Sequence, residues 1–225
     1  MLLVPRAGVA QGMQETSKKV ARGGISVAGW RGTLDTREAT AGNTINDARF
    51  AAEGAGLKVT TGPAVTYWNP ANRATGNYTV KATFTEANYM GLNDHPHPYG
   101  IMIAGNDLGT AKQTYLYCAA YGTGSFIVRG MGPAPFQMNG RGEANAAIRT
   151  AAAKGAPVTQ EIAVSVKGNK VECAINGSVV GTYERAALLA PGHLKSLNGM
   201  YGVRFGHNTE ATVTGLSVTK QATRE

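Results

Sequence analysis

The sequence lacks long apolar runs and has few charged residues, and each shortage excludes a class of protein. No stretch approaches the roughly 18 consecutive apolar residues that a membrane-spanning helix needs, so no transmembrane segment is expected. Only 16% of the residues are charged, whereas 30 are glycine, a balance typical of many short strands joined by tight turns. At 225 residues the chain is predicted to form one main β-domain.

Cysteine is also scarce. The two cysteines, Cys118 and Cys173, permit at most one intramolecular disulfide. Each lies in a strand pattern with apolar residues two positions away, so both side chains are predicted to point into the core as buried free thiols. A disulfide would require the two strands to be neighbours at a suitable distance, which the sequence does not establish.

Positive charge is in excess but scattered. There are 22 Lys and Arg against 14 Asp and Glu, a formal net charge of +8, which attracts polyanions in general. The basic residues form only one local cluster, Lys18, Lys19 and Arg22, and the sequence carries none of the recognised nucleic-acid-binding modules. No nucleic-acid partner is expected.

The first residues resemble a processed leader. Residues 1–11 (MLLVPRAGVAQ) end in small residues, like a signal-peptidase site, but their apolar part is short and lacks a basic start. Leu3–Arg6 also spells a thrombin-like cleavage sequence, so the segment is interpreted either as a signal-peptide remnant or as a leftover of cloning. We expect a leader remnant or flexible arm over residues 1–27, a β-sandwich domain over 28–219 and a tail over 220–225.

From about Leu57 onward, apolar and polar residues alternate in segments separated by turn residues, which predicts antiparallel strands with one buried face. Asn176-Gly177 favours a type I′ hairpin turn, so the strands around it are predicted to form a meander. About ten to twelve strands are predicted, enough for two packed sheets. Helix is expected only within residues 143–154, as a helical or irregular insertion, and as one or two turns within 184–190. The predicted strand segments are 58–68 (two strands broken at Gly62-Pro63), 78–85, 99–104, 114–121, 125–129, 161–167, 170–175, 179–183, 201–205 and 211–218.

Several of these segments, taken in order, resemble a known family. They are Gly56–Ala64, Tyr67–Asn72, Gly76–Val80, His97–Gly100, Gln113–Tyr117, Asn176–Gly177 and Gly202–Asn208. The pattern is similar to uncharacterised bacterial secreted proteins of the concanavalin A-like lectin and glucanase superfamily, near the 3-keto-disaccharide hydrolase (family 16 glycoside hydrolase-like) domain. The resemblance implies an all-β fold, a two-sheet antiparallel jelly-roll sandwich, in a protein that is secreted, periplasmic or on the cell surface.

The sequence lacks the carboxylate pattern of the enzymes in that superfamily. A retaining glucanase needs two carboxylates about 5 Å apart, commonly supplied by a Glu-x-Asp-x-Glu strand, and no such triplet is present. No catalytic residue is predicted, and whether the chain is an enzyme stays open. The acidic residues nearest the predicted interior strands are dispersed: Glu86, Asp94, Glu161 and Glu172.

The densest polar cluster lies in residues 93–99 (NDHPHPY). Its two prolines favour an extended backbone for the residues before them, so His95 and His97 are predicted to face one side. Together with Asp94 or the distant His207 they could bind a metal ion, which makes His95, His97 and His207 candidate metal ligands. The alternative is a proline-stiffened loop with solvated histidines and no cofactor.

Aromatic residues supply the remaining signal. Tyr115, Tyr117 and Tyr121 share one face of a predicted strand, opposite Leu116 and Cys118. Tyrosines in line on a sheet can stack on sugar rings or hydrogen-bond to their hydroxyls; the alternative is that they fill the core. The candidate ligand-binding residues are Tyr115, Tyr117, Trp68, Asn72 and Arg204.

The function most favoured by the sequence is a noncatalytic extracellular carbohydrate-binding or surface module of a bacterium. One alternative is a structural cell-envelope protein that forms homo-oligomers through edge strands or its N-terminal arm. The other is a hydrolase or lyase that acts on a modified glycoside, based on the resemblance and on the three histidines.

Overall fold

The computed structural model describes residues 16–140 and 142–220, which form two antiparallel sheets packed face to face. The elements in chain order are β1 (Gly24–Ile25), β2 (Arg31–Leu34), α1 (Thr36–Thr40), a 3₁₀ turn (Ile45–Asp47), β3 (Arg49–Glu53), β4 (Gly56–Thr60), β5 (Val65–Ala74), β6 (Tyr78–Glu86), β7 (Tyr99–Asn106), β8 (Thr114–Tyr121), β9 (Ser125–Met131), β10 (Pro135–Gln137), β11 (Glu143–Ala144), β12 (Val158–Lys167), β13 (Lys170–Ile175), β14 (Ser178–Glu184), α2 (Arg185–Leu188), β15 (Gly199–Phe205) and β16 (Glu210–Lys220).

The strands divide into two sheets of eight. The first sheet has the order β1-β3-β4-β16-β6-β12-β13-β14, and the second has the order β10-β9-β8-β7-β15-β5-β2, with β11 also paired to β9. Every pairing between neighbours is antiparallel except the short parallel pair of β1 and β3. The predicted all-β sandwich is confirmed. No helix in the described residues is long and apolar enough to cross a membrane.

The predicted meander is present in strands β12, β13 and β14. Asn176 and Gly177 have φ values of 51° and 84°, as a type I′ turn requires, and they join β13 to β14. Strand β13 also pairs with β12 over Ile162–Lys167. The predicted meander is therefore confirmed. It was predictable because two adjacent residues specify the turn.

The alanine-rich segment 143–154 is not helical. Its first two residues form β11 on the edge of β9, and turns follow. Asn145 Oδ1 accepts the backbone N–H of Ala147 at 3.0 Å, a local bond that competes with helix formation. The predicted turn within 184–190 is present as α2.

The segment 16–27 is hydrogen-bonded to the sandwich through its backbone. The backbone N–H of Val20 donates to Asp47 O at 3.2 Å and that of Gly24 to Ala48 O at 2.7 Å. Gly62 permits a close approach here, since a Cβ on it would lie 1.6 Å from Lys18 O. The predicted leader (residues 1–11) and most of the predicted tail lie outside the described residues.

The core between the sheets is crossed by a disulfide. Cys118 in β8 and Cys173 in β13 are bonded, with their Cα atoms 6.1 Å apart, so the prediction of free thiols is wrong. Both residues are 1% exposed and point inward from opposite sheets. Sheet-to-sheet packing, which strand periodicity does not encode, brings them together.

Removal of the disulfide should destabilise the sandwich without changing its fold. The bond closes a loop with a sequence separation of 55 residues, for which loop-closure entropy predicts about 4 kcal/mol of stabilisation. We expect the Cys118→Ala/Cys173→Ala double variant to lose roughly 2–4 kcal/mol in urea unfolding. Reductant should destabilise the parent chain and leave the double variant unchanged. Two titratable thiols in the denatured, unreduced parent would contradict the assignment.

A buried carboxyl group lies at one end of the core. Glu86 at the end of β6 is 4% exposed. Its Oε1 accepts the backbone N–H of Met90 at 3.2 Å, while Oε2 has no hydrogen-bond partner among the described residues. Burial raises the pKa of Glu86 to about 7, because removal from water disfavours the charged form.

The stability of the protein should therefore depend on pH through Glu86. Protonated Glu86 stabilises the fold fully below its ordinary pKa of 4.5, and this contribution is lost as pH rises through about 7. We expect Glu86→Gln to raise the free energy of unfolding by about 2 kcal/mol at pH 8 and to change it little at pH 4.5. Denaturant melts of both proteins across this range test the effect; a pH-independent difference would refute it.

Candidate functional site

A groove of about 1030 Å³ lies on the outer face of the second sheet, on the side away from the core. One wall of the groove is formed by Asp35 and helix α1. The opposite wall is formed by strand β9 and the turn after it. The charged and aromatic side chains that line it include Asp35, Glu38, Tyr117, Tyr121, Arg204 and His207.

The groove floor follows from strand alternation. Leu116 and Cys118 of β8 point into the main core, so Tyr115 and Tyr117 point to the opposite face, where they join a second apolar cluster. The predicted placement of the tyrosines opposite Leu116 and Cys118 is confirmed. The cluster consists of Trp68, Met102, Tyr115, Tyr117, Ala119 and Ile127.

Arg204 lies in the centre of this face, in the strand between β5 and β7. It pairs with Thr66 on one side and Gly100 on the other. Its side chain is 8% exposed, and Nη2 donates to Asp35 Oδ2 at 2.6 Å. The guanidinium carbon is 5.5 Å from the ring centroid of Tyr117, within the range of a cation–π contact. Arg204 is thus a buried, ion-paired residue on this outer face.

Two polar atoms of this ion pair remain unpaired. Arg204 Nη1 and Asp35 Oδ1 are buried and have no hydrogen-bond partner among the described residues. An unpaired buried polar group costs roughly 1–3 kcal/mol, so a partner that reaches either atom would be favoured. One atom is a donor and the other an acceptor.

The floor hydroxyls remain protonated. Burial raises the pKa of Tyr115 to about 12 and also raises that of Tyr117, so both can donate hydrogen bonds at neutral pH. Tyr115 OH accepts from Thr66 Oγ1 at 3.1 Å and is 1% exposed, which makes it a support beneath the floor.

The other predicted ligand-binding residues lie elsewhere. Trp68 is 3% exposed and does not line the groove; a Cβ on Gly109 would lie 3.7 Å from its Cη2, so the turn after β7 covers it. Asn72 is half-buried in the far part of β5 and is also outside the groove lining. The structure thus brings Tyr117 and Arg204 into the groove, with Tyr115 and Trp68 in the apolar cluster beneath it.

Sequence reasoning missed the acidic groups of the groove. Asp35 precedes α1 in the N-cap position, but its side chain does not cap the helix; it binds Arg204 instead. Glu38 lies three residues further along α1. An aspartate before a short helix predicts a cap, so the sequence carries no signal for a partner 169 residues away.

The three predicted metal ligands meet at one end of the groove. The ring centroids of His97 and His207 are 3.9 Å apart, and those of His95 and His97 are 4.3 Å apart. One nitrogen from each of His95, His97 and His207 lies within 4.8 Å of the others. His97 and His207 line the groove itself.

Carboxylates surround the histidines. His95 Nδ1 is 2.6 Å from Asp94 Oδ1, and His207 Nδ1 is 3.8 Å from Glu38 Oε1. Burial, followed by the charges of His207 and His95, lowers the pKa of His97 to about 3. His97 is therefore a neutral imidazole at physiological pH, the form that binds a metal ion.

Comparison with known proteins supports the fold. No protein-family profile matches the sequence, and no curated protein matches it by sequence. Among solved structures, a carbohydrate-binding module, CBM66, from Bacillus subtilis aligns with a TM-score of 0.56 and 8% identity, covering 87% of this chain and 98% of that one.

Two further structures show the same architecture. A Bacillus subtilis protein of unknown function with a galectin-like fold has a TM-score of 0.57 and 13% identity, covering 87% of this chain and 90% of the other. An endo-β-1,3-glucanase from Pyrococcus furiosus has a TM-score of 0.51 and 8% identity, covering 89% and 91%. The chain therefore has the concanavalin A-like jelly-roll fold, as the sequence resemblance implied.

Proposed function

We propose that this protein is a noncatalytic, extracellular carbohydrate-binding module whose binding site is the groove on the second sheet. The observation that carries the proposal is the unpaired donor and acceptor, Arg204 Nη1 and Asp35 Oδ1, above a floor of tyrosine. The CBM66 module with the same fold agrees with this assignment.

The chemistry of the groove matches a sugar. A sugar hydroxyl both donates and accepts, so one hydroxyl or two neighbouring hydroxyls can satisfy Arg204 and Asp35 together. Hydrogen bonds to charged groups contribute roughly 1.5–3 kcal/mol each. The aromatic surfaces of Tyr117 and Tyr121, which line the same groove, suit the apolar face of a sugar ring.

The carboxylates of the groove favour binding over hydrolysis. Retaining hydrolysis needs one carboxylate free to attack and a second to transfer a proton. Asp35 is held by Arg204 at 2.6 Å. Glu38 Oε2 accepts from Ser17 Oγ at 2.7 Å and from Asn43 Nδ2 at 2.9 Å. Both carboxylates are thus held as structural partners.

The disulfide supports an extracellular location. Such bonds form and persist in oxidising compartments, outside the cytosol, and the bond between Cys118 and Cys173 lies in the core of the domain.

Glycan binding should depend on the groove side chains. In calorimetric titration with the strongest ligand from a glycan array, we expect Arg204→Lys to weaken binding roughly 10–100-fold, because lysine keeps the charge but loses the planar fork of donors. Tyr121→Ala should weaken binding by about 10-fold through loss of ring contact.

Matched controls lie outside the groove. Tyr183→Ala removes a half-buried tyrosine from the first sheet, and Arg73→Lys changes an exposed arginine of β5; both should leave affinity unchanged. Thermal melts of each variant separate lost binding from lost folding. The proposal is wrong if the parent protein binds no glycan at millimolar concentration, or if the groove variants bind as well as the controls.

A further inference from the structure

The cluster of His95, His97 and His207 has the composition of a transition-metal site. All three side chains are imidazoles, which suit Zn²⁺ and its neighbours in the first transition row, whereas Mg²⁺ and Ca²⁺ prefer oxygen ligands. Three histidines with an open fourth position form a known arrangement for Zn²⁺.

The distances allow a shared ion. Zn–N bonds of about 2.0 Å in tetrahedral geometry place the ligand nitrogens about 3.3 Å apart, and here the three nitrogens all lie within 4.8 Å of one another. His95 is the exposed member of the three, so its side chain is the least restricted by packing and has the most freedom to adjust to an ion.

The backbone holds the two inner histidines against each other. Gly206 N donates to Pro98 O at 2.8 Å, and this bond joins the segment of His207 to that of His97. A Cβ on Gly206 would lie 3.0 Å from both His97 Cβ and Pro98 Cδ, closer than side chains normally pack. Glycine at this position therefore permits the contact between the two imidazoles.

The neighbouring loop is fixed by a buried asparagine. Asn208, which is fully buried, accepts from the backbone N–H of Lys18 at 2.8 Å through Oδ1, and its carbonyl accepts from Asn93 Nδ2 at 2.8 Å. Its own N–H donates to Gly62 O at 2.9 Å. The segment that carries His207 is thus anchored on three sides.

Carboxylates lie behind two of the three histidines. His95 Nδ1 is 2.6 Å from Asp94 Oδ1. His207 Nδ1 is 3.8 Å from Glu38 Oε1, and Glu38 is held by the Ser17 hydroxyl at 2.7 Å. A carboxylate behind a ligating histidine is a common support for zinc.

From this geometry we propose that His95, His97 and His207 bind one Zn²⁺-type transition-metal ion at the end of the groove. Because His97 and His207 also line the groove, an ion held by them would lie next to it. The ion increases the stability of the fold by mass action, since the site is formed only in the folded chain.

The test is titration of the untagged, chelator-treated full chain with Zn²⁺ at neutral pH, without any glycan. We expect one ion per chain and a melting temperature that rises with Zn²⁺ concentration, with no comparable effect of Mg²⁺ or Ca²⁺. Loss of a residue that hydrogen-bonds to a metal ligand lowers metal affinity roughly 10–100-fold. His97→Ala removes a ligand itself, so it should weaken Zn²⁺ binding by more than this. His193→Ala is the matched control, because His193 stacks on Phe136 outside the cluster and its loss should leave affinity unchanged.

If a variant fails to fold, NMR spectra of the histidine rings in the parent protein test the same site without any substitution. Zn²⁺ should shift the ring signals of His95, His97 and His207 and leave those of His193 in place. The proposal is overturned if no stoichiometric binding occurs, if His97→Ala binds Zn²⁺ as the parent does, if His193 shifts equally, or if Ca²⁺ binds in preference. Since no glycan is present, each result is independent of whether the groove binds carbohydrate.

Discussion

The structure depends on the burial of both faces of the second sheet. In β7 and β8 all residues but the last are buried, so these strands contribute one set of side chains to the core and the alternate set to the groove floor. The outer set is packed and apolar, with Tyr117 and Met102 as neighbours across the two strands. A rigid floor of this kind holds Arg204 in place although its guanidinium is removed from water, an arrangement that requires a close ionic partner.

The strands were predictable because their signals are local. Alternation of apolar and polar residues marks β6 and β12, and two residues with positive φ specify the turn between β13 and β14. Tyr117 and Cys118 point to opposite faces of the sheet, which likewise follows from the two-residue period of a β-strand. Short edge strands such as β10 and β11 carry too few residues to show a period, and they were not predicted.

The candidate site was only partly predictable, because its contacts join distant parts of the chain. The segment that contains His95 and His97 was recognisable as a dense polar cluster stiffened by prolines. Since two histidines suggested a metal site, His207, 110 residues beyond His97, was named as a candidate third ligand. The partner of Arg204 was not identified, since nothing near Asp35 distinguishes it from a helix cap. The disulfide was missed for the same reason: the pairing of Cys118 with Cys173 is set by how the two sheets stack.

One short helix is associated with carboxylate partners for two different parts of the groove. Asp35 immediately precedes α1 and holds Arg204, while Glu38 within α1 stands behind His207. These two residues are three apart, about one helical turn. The five residues of α1 are exposed or half-buried and contribute little to the core. A change that displaces α1 would therefore act on the guanidinium of Arg204 and the imidazole of His207 together, through Asp35 and Glu38.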